Sequence, residues 1–241
     1  MATQAWFESW FDSPYYHILY ADRDQQEAQR FIDKLMTTLD LPKNARLLDV
    51  ACGRGRHAIY LNQLGYDVKG IDLSQKNISH AQSYANDRLQ FQQHDMRKTL
   101  DEKFDGVLNL FTSFGYFEDD ADSLKALYAF RNHLQVGGVG VIDFLNTPWV
   151  AKHLIPEESI LKKGIQFDIK RRVDTRWITK EIAFETGGEK FQFQERVRAL
   201  QLEDFTHWLS EVGLEIKAIY GDYTLSDYNP LSSSRLILIV Q

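Results

Sequence analysis

Apolar and polar positions divide the chain into stretches of different rhythm. Between residues 24 and 40, Ala28, Phe31, Ile32, Leu35, Met36 and Leu39 recur at helical spacing, which predicts one amphipathic helix ahead of Pro42. Short apolar runs then alternate with helical patterns. Strands are predicted over 46–50, 67–71, 89–92, 104–110 and 139–144. Helices are predicted over 57–64, from a Ser74 cap to about Asn86, and over about 120–134, the last stopped by Gly137-Gly138. That alternation predicts a parallel, doubly wound sheet. Residues 146–200 carry hardly any helical signal. Their apolar periodicity gives strands over 167–173, 177–184 and 191–200, with Thr186-Gly187-Gly188-Glu189 as a hairpin turn. A helix over 202–212, stopped by Gly213, and an antiparallel strand pair, 214–220 and 235–240, close the chain.

The expected fold is therefore α/β: one mixed sheet, with a small antiparallel cover inserted after its fifth strand. At 241 residues this reads as a single domain, 1–241. Residues 1–40 form an N-terminal lid, 41–145 the core, 146–200 the cover, and 201–241 the last helix and strand pair of the core.

Composition changes this picture at a few points. A net charge of -6 disfavours nucleic acid as a partner. No apolar run reaches the ~18 residues of a membrane helix, and the N-terminus lacks the pattern of a secretory signal. The lone Cys52 rules out an internal disulfide and fits a reducing compartment, so the expected location is the cytoplasm. The seven histidines lack metal-ligand spacing with carboxylates or Cys52, so no metal is expected. Nothing in the sequence assigns an oligomeric state. Aromatic residues crowd the N-terminus: Trp6, Phe7, Trp10, Phe11, Tyr15, Tyr16 and Tyr20. Rings at that density predict a packed lid rather than a loose tail. Phe104, Phe111, Phe114, Tyr116 and Phe117 are expected to cluster around the end of the fourth strand.

In an open parallel sheet, ligands bind at the carboxyl ends of the strands. After the first strand comes Asp49-Val50-Ala51-Cys52-Gly53-Arg54-Gly55-Arg56-His57-Ala58; after the second, Asp72; after the third, His94-Asp95-Met96; after the fourth, Leu110 and the run to Tyr116. Gly53, Gly55 and Ala58 fit a dinucleotide-binding loop, with Asp72 near the position of a ribose-binding acid. Asp49 argues against a pyrophosphate there, because its carboxylate would repel one and attract a cation. The set Asp49, Asp72 and Asp95 suits S-adenosylmethionine better than NAD.

These motifs, Leu-Leu-Asp-Val-Ala-Cys-Gly-Arg-Gly, Val-Lys-Gly-Ile-Asp-Leu-Ser, His-Asp-Met-Arg and Phe-Asp-Gly-Val-Leu-Asn-Leu, stand in order over residues 46–145. They resemble the successive motifs of class I S-adenosylmethionine-dependent methyltransferases. That resemblance implies a Rossmann-like seven-stranded, mostly parallel sheet with a reversed last strand. It also implies roles: Ala51 and Gly53 facing the methionine portion with Asp49 nearby, Gly55 in the same loop, Asp72 on the ribose and Leu73 on the adenine. Asp95 would accept from the adenine amino group, Met96 would flank the ring, and Leu110 would contact the methionine moiety.

The run Phe111 to Phe117 is similar to the loop of small-molecule methyltransferases, including glycine and amino-sugar N-methyltransferases. That similarity implies Tyr116 near the acceptor, an aromatic N-terminal closure for which Tyr20 is the best contact, and a substrate cover. Tyr16, His17 and Trp149 are weaker acceptor candidates. Glu195 and Arg196 point to opposite faces of their strand, so only one can face the cavity.

The expected activity is methyl transfer from S-adenosylmethionine to an N, O or C nucleophile of a small molecule by in-line displacement, with no membrane partner. A nicotinamide-dependent oxidoreductase and a non-catalytic S-adenosylmethionine-binding module remain alternatives.

Overall fold

The structure is a computed structural model that describes residues 10–21 and 25–241. Trp6 and Phe7 lie outside the described residues. Two sheets organise the chain. The larger combines β1 (Arg46–Val50), β2 (Asp67–Asp72), β3 (Leu89–Gln93), β4 (Phe104–Asn109), β5 (Leu134–Leu145), β10 (Ile216–Tyr220) and β11 (Arg235–Val240) in the order β10-β11-β5-β4-β1-β2-β3. Strands β1 to β5 are parallel, and β11 runs antiparallel to both β5 and β10. The reversed last strand is therefore present.

Alternation along each strand sends side chains to opposite faces. Leu47, Val68, Leu108, Ile237 and Ile239 pack with α2 (Gln25–Leu39), α3 (Arg56–Gln63) and α4 (Gln75–Ala81). Leu48, Ile71, Val107, Leu236 and Leu238 pack with α5 (Asp120–His133) and α7 (Leu202–Glu211). The short α1 (Pro14–Leu19) precedes this core.

Local chemistry sets the helix ends. Ser74 caps α4 by accepting from the Asn77 N–H at 3.1 Å, and Asp119 caps α5 by accepting from Asp122 at 2.8 Å. Gly213, at φ 76°, takes the left-handed turn after α7.

Three expectations need correction. The helix after Ser74 ends at Ala81 and passes into a 3₁₀ turn over Gln82–Tyr84, well before Asn86. Gly137-Gly138 do not stop α5: His133 is its last residue, and both glycines lie within β5. Gly138 is needed there because a Cβ would sit 3.0 Å from the Phe104 carbonyl, where the β4–β5 register shifts. The stretch after β5 is not purely β either, since α6 (Thr147–His153) opens it with Pro148 in its first turn.

The smaller sheet is β6 (Glu157–Lys162), β7 (Ile165–Val173), β8 (Trp177–Thr186) and β9 (Glu189–Arg198), antiparallel throughout and in that order. Strand β6 is additional to the expected strands: its Glu-Glu-Ser-Ile-Leu-Lys sequence carries little apolar signal, and it lies at the sheet edge. The β8–β9 hairpin turns at Gly187 and Gly188, with φ 61° and 78°, values that a two-residue turn of this hand requires. The inner face of this sheet receives part of the N-terminal aromatic segment. Trp10, Leu19 and Tyr15 pack with Phe167, Ile169, Ile182 and Phe184. Among the described residues no helix is long and apolar enough to cross a membrane, and no group of three His, Cys, Asp or Glu side chains is disposed to hold a metal ion.

Candidate functional site

Strand order reverses between β4 and β1, which opens a crevice at their carboxyl ends. A cavity of about 1260 Å³ begins there and extends beneath the cover. That exceeds the roughly 300–1,000 Å³ of a pocket for one drug-sized ligand, and leaves room for two molecules side by side.

The β1–α3 loop forms one wall. Ala51 and Gly53 adopt left-handed φ values of 59° and 56°, and a Cβ on Gly53 would meet nothing within 4 Å. The backbone is thus open to the cavity at Gly53. Gly55 serves packing instead. A Cβ there would come within 2.7 Å of the Phe91 ring, so its absence lets helix and sheet approach closely. At the end of β2, Asp72 accepts from the Gly53 N–H and the Ser74 N–H, both at 2.8 Å. Ser74 in turn donates to Asp12 of the N-terminal segment. Leu73 is 38% exposed beside them.

Asp49 lies behind this wall, 1% exposed, with its Oδ2 unpartnered. Burial raises its carboxyl to about 7; an Ala58 N–H bond and Arg56 oppose this, and the charge of Asp72 reinforces it. Burial likewise raises Asp72, against hydrogen bonds from Ser74, Gly53 and Asn77. A raised carboxyl keeps a proton in the folded state that the unfolded chain has released. Stability from Asp49 is therefore lost as pH rises from about 4 to about 7. Asp49→Asn should remove that penalty: above pH 7 the ligand-free variant should be more stable than the parent by about 1–3 kcal/mol, an advantage that fades below pH 5. Calorimetric melting at pH 5 and pH 8 checks this; equal differences at the two pH values would exclude a buried charge at Asp49.

Asp95 and Met96 line the cavity past β3. Both Asp95 oxygens already receive Arg97, at 2.6 to 3.1 Å. Burial works to raise this carboxyl, but the Arg97 bonds and charge hold it below its usual value. Past β4, Leu110 and Tyr116 line the cavity, and the Tyr116 hydroxyl donates to the Thr112 carbonyl at 2.7 Å. Phe104 belongs elsewhere: it opens β4, at the opposite end of that strand, packed with His133.

Of the eleven residues singled out from sequence, nine line this one cavity: Tyr20, Ala51, Gly53, Asp72, Leu73, Asp95, Met96, Leu110 and Tyr116. Asp49 and Gly55 stand behind it. Tyr20 reaches the cover: its hydroxyl donates to Glu195 at 2.6 Å and receives Lys180. Tyr16 and His17 also line the cavity, whereas Trp149 is not among its walls and stacks on His153 at 4.4 Å.

Both Glu195 and Arg196 border the cavity, against the expectation that only one could, but their side chains take different directions. Glu195 turns inward to Trp10, Tyr20 and Lys180, and Arg196 turns to Glu118 and the face of Trp177. The sequence carried the signal. A two-residue turn at 187–188 puts Glu195 opposite Lys180 in register, on the face of Phe184, Phe191 and Phe193. Sequence reasoning missed a second group, Asp143, Arg235 and Tyr223. Arg235 and Tyr223 border the cavity, while Asp143 is wholly buried beneath them. Asp143 stands within an apolar strand, the same sign that marked Asp49.

Comparison with known proteins agrees with this geometry. Residues 47–138 match the family model of a methyltransferase domain. The chain is 36% identical over 109 residues to a dTDP-3-amino-3,4,6-trideoxy-alpha-D-glucopyranose N,N-dimethyltransferase of Streptomyces venezuelae, a match spanning 45% of this chain and 44% of that protein. It is 27% identical over 198 residues to a glycine/sarcosine N-methyltransferase of Parasynechococcus marenigrum, covering 76% of this chain and 68% of the relative. In fold, it resembles the crystal structure of a S-adenosylmethionine-dependent methyltransferase from Clostridium acetobutylicum, with a TM-score of 0.79 at 22% identity over 94% of this chain and 95% of that one.

Proposed function

We propose that this chain, which belongs to the class I S-adenosylmethionine-dependent methyltransferases, transfers the donor's methyl group to a nucleophilic atom of a small-molecule acceptor held beneath the cover. The observation that carries this reading is the pair of carboxylates around the Gly53 loop. Asp72 stands at the cavity wall, and Asp49 is buried behind it with an unpartnered oxygen. A donor with a ribose diol and two positive groups suits that pair; a pyrophosphate does not. The open backbone at Gly53 fits a ligand passing close to the loop. The family match sets the nicotinamide alternative aside.

Within this reading the residues divide the work of binding. Asp72 takes the ribose hydroxyls on its remaining lone pairs. Leu73 and Met96 flank the adenine, and Asp95, steadied by Arg97, faces its amino group. Ala51, Gly53 and Leu110 border the methionine portion, while Asp49 contributes a negative field. Tyr20 and Tyr116 enclose the site from the acceptor side. S-adenosylmethionine supplies, when bound, a methyl already activated by its sulfonium. The protein's remaining work is alignment and exclusion of water. The acceptor's lone pair forms the new bond to carbon as the carbon–sulfur bond breaks, and that electron pair stays on sulfur. The relatives named for amino-sugar and glycine acceptors favour nitrogen as the attacking atom. We read the whole chain as one catalytic unit, with 146–200 serving the acceptor.

Titration calorimetry with S-adenosylhomocysteine and with NADH tests the reading. Micromolar or tighter binding of the first and none of the second is expected; the reverse would sink it.

A further inference from the structure

Strand β6 is an edge of the cover, with β7 as its strand neighbour. One bond shows which of its backbone groups face outward. The Arg171 N–H donates to the Pro156 carbonyl at 2.7 Å, in the same register that pairs Glu157 with Lys170. Bonded and non-bonded pairs alternate along an antiparallel ladder. Glu158, Ile160 and Lys162 therefore turn their N–H and C=O groups to β7, and Glu157, Ser159 and Leu161 turn theirs away from the sheet. The pairing with β7 is continuous from Glu157 to Lys162. A regular edge of this kind is a template for another strand.

Its side chains are charged at the ends and less polar at the centre. Residues 157–163 read Glu-Glu-Ser-Ile-Leu-Lys-Lys, so acids and bases stand at equal distances on either side of Ile160. Leu161 is 70% exposed, and Ile155 just ahead of the strand is 58% exposed. Charges at a sheet edge ordinarily keep strands apart. A pattern that changes sign about its centre does the opposite when the strand meets its own copy running the other way.

Two copies of one edge related by a two-fold axis pair antiparallel, and outward-facing residues then oppose outward-facing residues. Few registers satisfy this. With the axis at Glu158, acid opposes acid. With the axis at Ser159, Glu158 opposes Ile160 and Glu157 opposes Leu161. With the axis at Leu161, Ile160 opposes Lys162. With the axis at Ile160, Glu158 opposes Lys162, Glu157 opposes Lys163, Ser159 opposes Leu161, and Ile160 meets its own copy. Opposite charges across a ladder stabilise it and like charges do the reverse, so the last register is favoured. The other sheet edges lack this match. Strand β9 is bonded through the Arg198 N–H to the Gly115 carbonyl, the register of β10 breaks between Ile216 and Ala218, and β3 reads Leu-Gln-Phe-Gln-Gln without a charge.

We propose that β6 is the seam of a homodimer, in which two copies of this chain pair their β6 strands antiparallel about Ile160 and join two four-stranded covers into one continuous sheet. The Ser159 and Leu161 N–H groups of each copy donate to the Leu161 and Ser159 carbonyls of the other. The seam also reaches the site. Glu158 pairs with Arg171, which borders the cavity. Lys162 of the second copy comes to that same carboxylate, so the dimer steadies the cover where it walls the cavity.

The full chain, without ligand, is weighed by light scattering after size exclusion at micromolar concentrations. A mass of twice 28.1 kDa is expected. Ser159→Pro removes an outward N–H and leaves the ladder with β7 intact, so it should give a monomer that still melts cooperatively. Charge variants test the register. Glu157→Lys with Glu158→Lys makes both ends of the strand basic, and Lys162→Glu with Lys163→Glu makes both acidic. Each should be monomeric alone, and an equimolar mixture should recover the dimer mass. Replacing Glu158 also removes the partner of Arg171, so both variants are first shown to melt cooperatively. Hydrogen exchange on the parent needs no substitution: the Ser159 and Leu161 amides should exchange as slowly as the Ile160 amide, which faces β7. A monomeric parent overturns the proposal. So does Ser159→Pro at the dimer mass, which would place the interface elsewhere. A charge variant that dimerises alone overturns it, as does a mixture of cooperatively melting variants that stays monomeric. Free exchange at Ser159 and Leu161 overturns it whatever the variants do.

Discussion

Asp143→Ala should cost about 3–5 kcal/mol of stability, the range for breaking one partner out of a buried ion pair. Asp143 is 0% exposed, and its Oδ1 receives Arg235 through Nε at 2.8 Å and a terminal nitrogen at 2.6 Å. Its Oδ2 receives the Phe111 N–H at 2.7 Å, and its carbonyl receives the Thr112 N–H at 3.0 Å. Arg235 extends the network to the Thr112 hydroxyl at 2.8 Å. Burial and the Asp143 charge push the Tyr223 hydroxyl up, so Tyr223 stays neutral and able to donate to Asp143. One carboxylate therefore joins β5, β11, Tyr223 and the loop after β4. Removing it leaves the Arg235 guanidinium without its counter-charge, with Thr112 as its remaining hydrogen-bond acceptor, and the Phe111 N–H without its acceptor.

The loop matters most, since Phe111 and Thr112 hold left-handed φ values of 55° and 59°, strained for side chains of that size. Without the Asp143 carboxylate that strained loop keeps the Thr112 bond to the residue 143 carbonyl but loses the Phe111 N–H bond and the anchoring of Arg235, so cofactor affinity should fall along with stability. A melting temperature lower by about 10 °C is expected for a chain of this length. Adding Arg235→Met to Asp143→Ala should recover part of the loss, because no buried charge is then left over. If the two changes were simply additive, the pair would not be coupled.

Legibility in the sequence followed the distance over which each feature acts. Strand β1 and the two carboxylates at the ends of β1 and β2 were readable because a charge closing an apolar run is a local pattern. The partner of Asp143 was not, since Arg235 is 92 positions away and opens a strand, where a charge looks like an ordinary end. The strained φ at Phe111 and Thr112 leaves no sign, because neither is glycine. Helix α6 escapes a reading in which Pro148 is punctuation, although proline suits a first helical turn. The crowded N-terminal rings announced a packed segment but not its destination. Trp10 and Tyr15 went to the inner face of the cover, built from strands more than 140 residues later, while Phe11, Tyr16 and Tyr20 went to the cavity. Period two and a fixed turn are enough to place Glu195 inside, once the hairpin register is followed from Gly187-Gly188.

Asp72→Ala should weaken cofactor binding by about 3–6 kcal/mol if two ribose hydroxyls bond to it, at about 1.5–3 kcal/mol for each bond to a charged group. That is a loss of at least 100-fold in affinity. The effect on folding should be smaller. The Gly53 and Ser74 N–H groups that Asp72 now receives lie at a cavity wall, where water can replace it. Titration calorimetry with S-adenosylhomocysteine reads this directly; affinity within threefold of the parent would show that Asp72 does not hold the ribose. The same ligand separates the two carboxylates. S-adenosylhomocysteine keeps the ribose and lacks the sulfonium charge, so Asp72→Ala should weaken it and S-adenosylmethionine equally. Asp49→Asn should instead weaken S-adenosylmethionine more, because what Asp49 contributes is charge rather than a contact with the sugar. The difference should shrink below pH 7, where Asp49 takes up its proton and the parent comes to resemble the variant. On those outcomes the pair of acids around one glycine loop would divide the work, Asp72 positioning the donor and Asp49 favouring its charged form over the spent one.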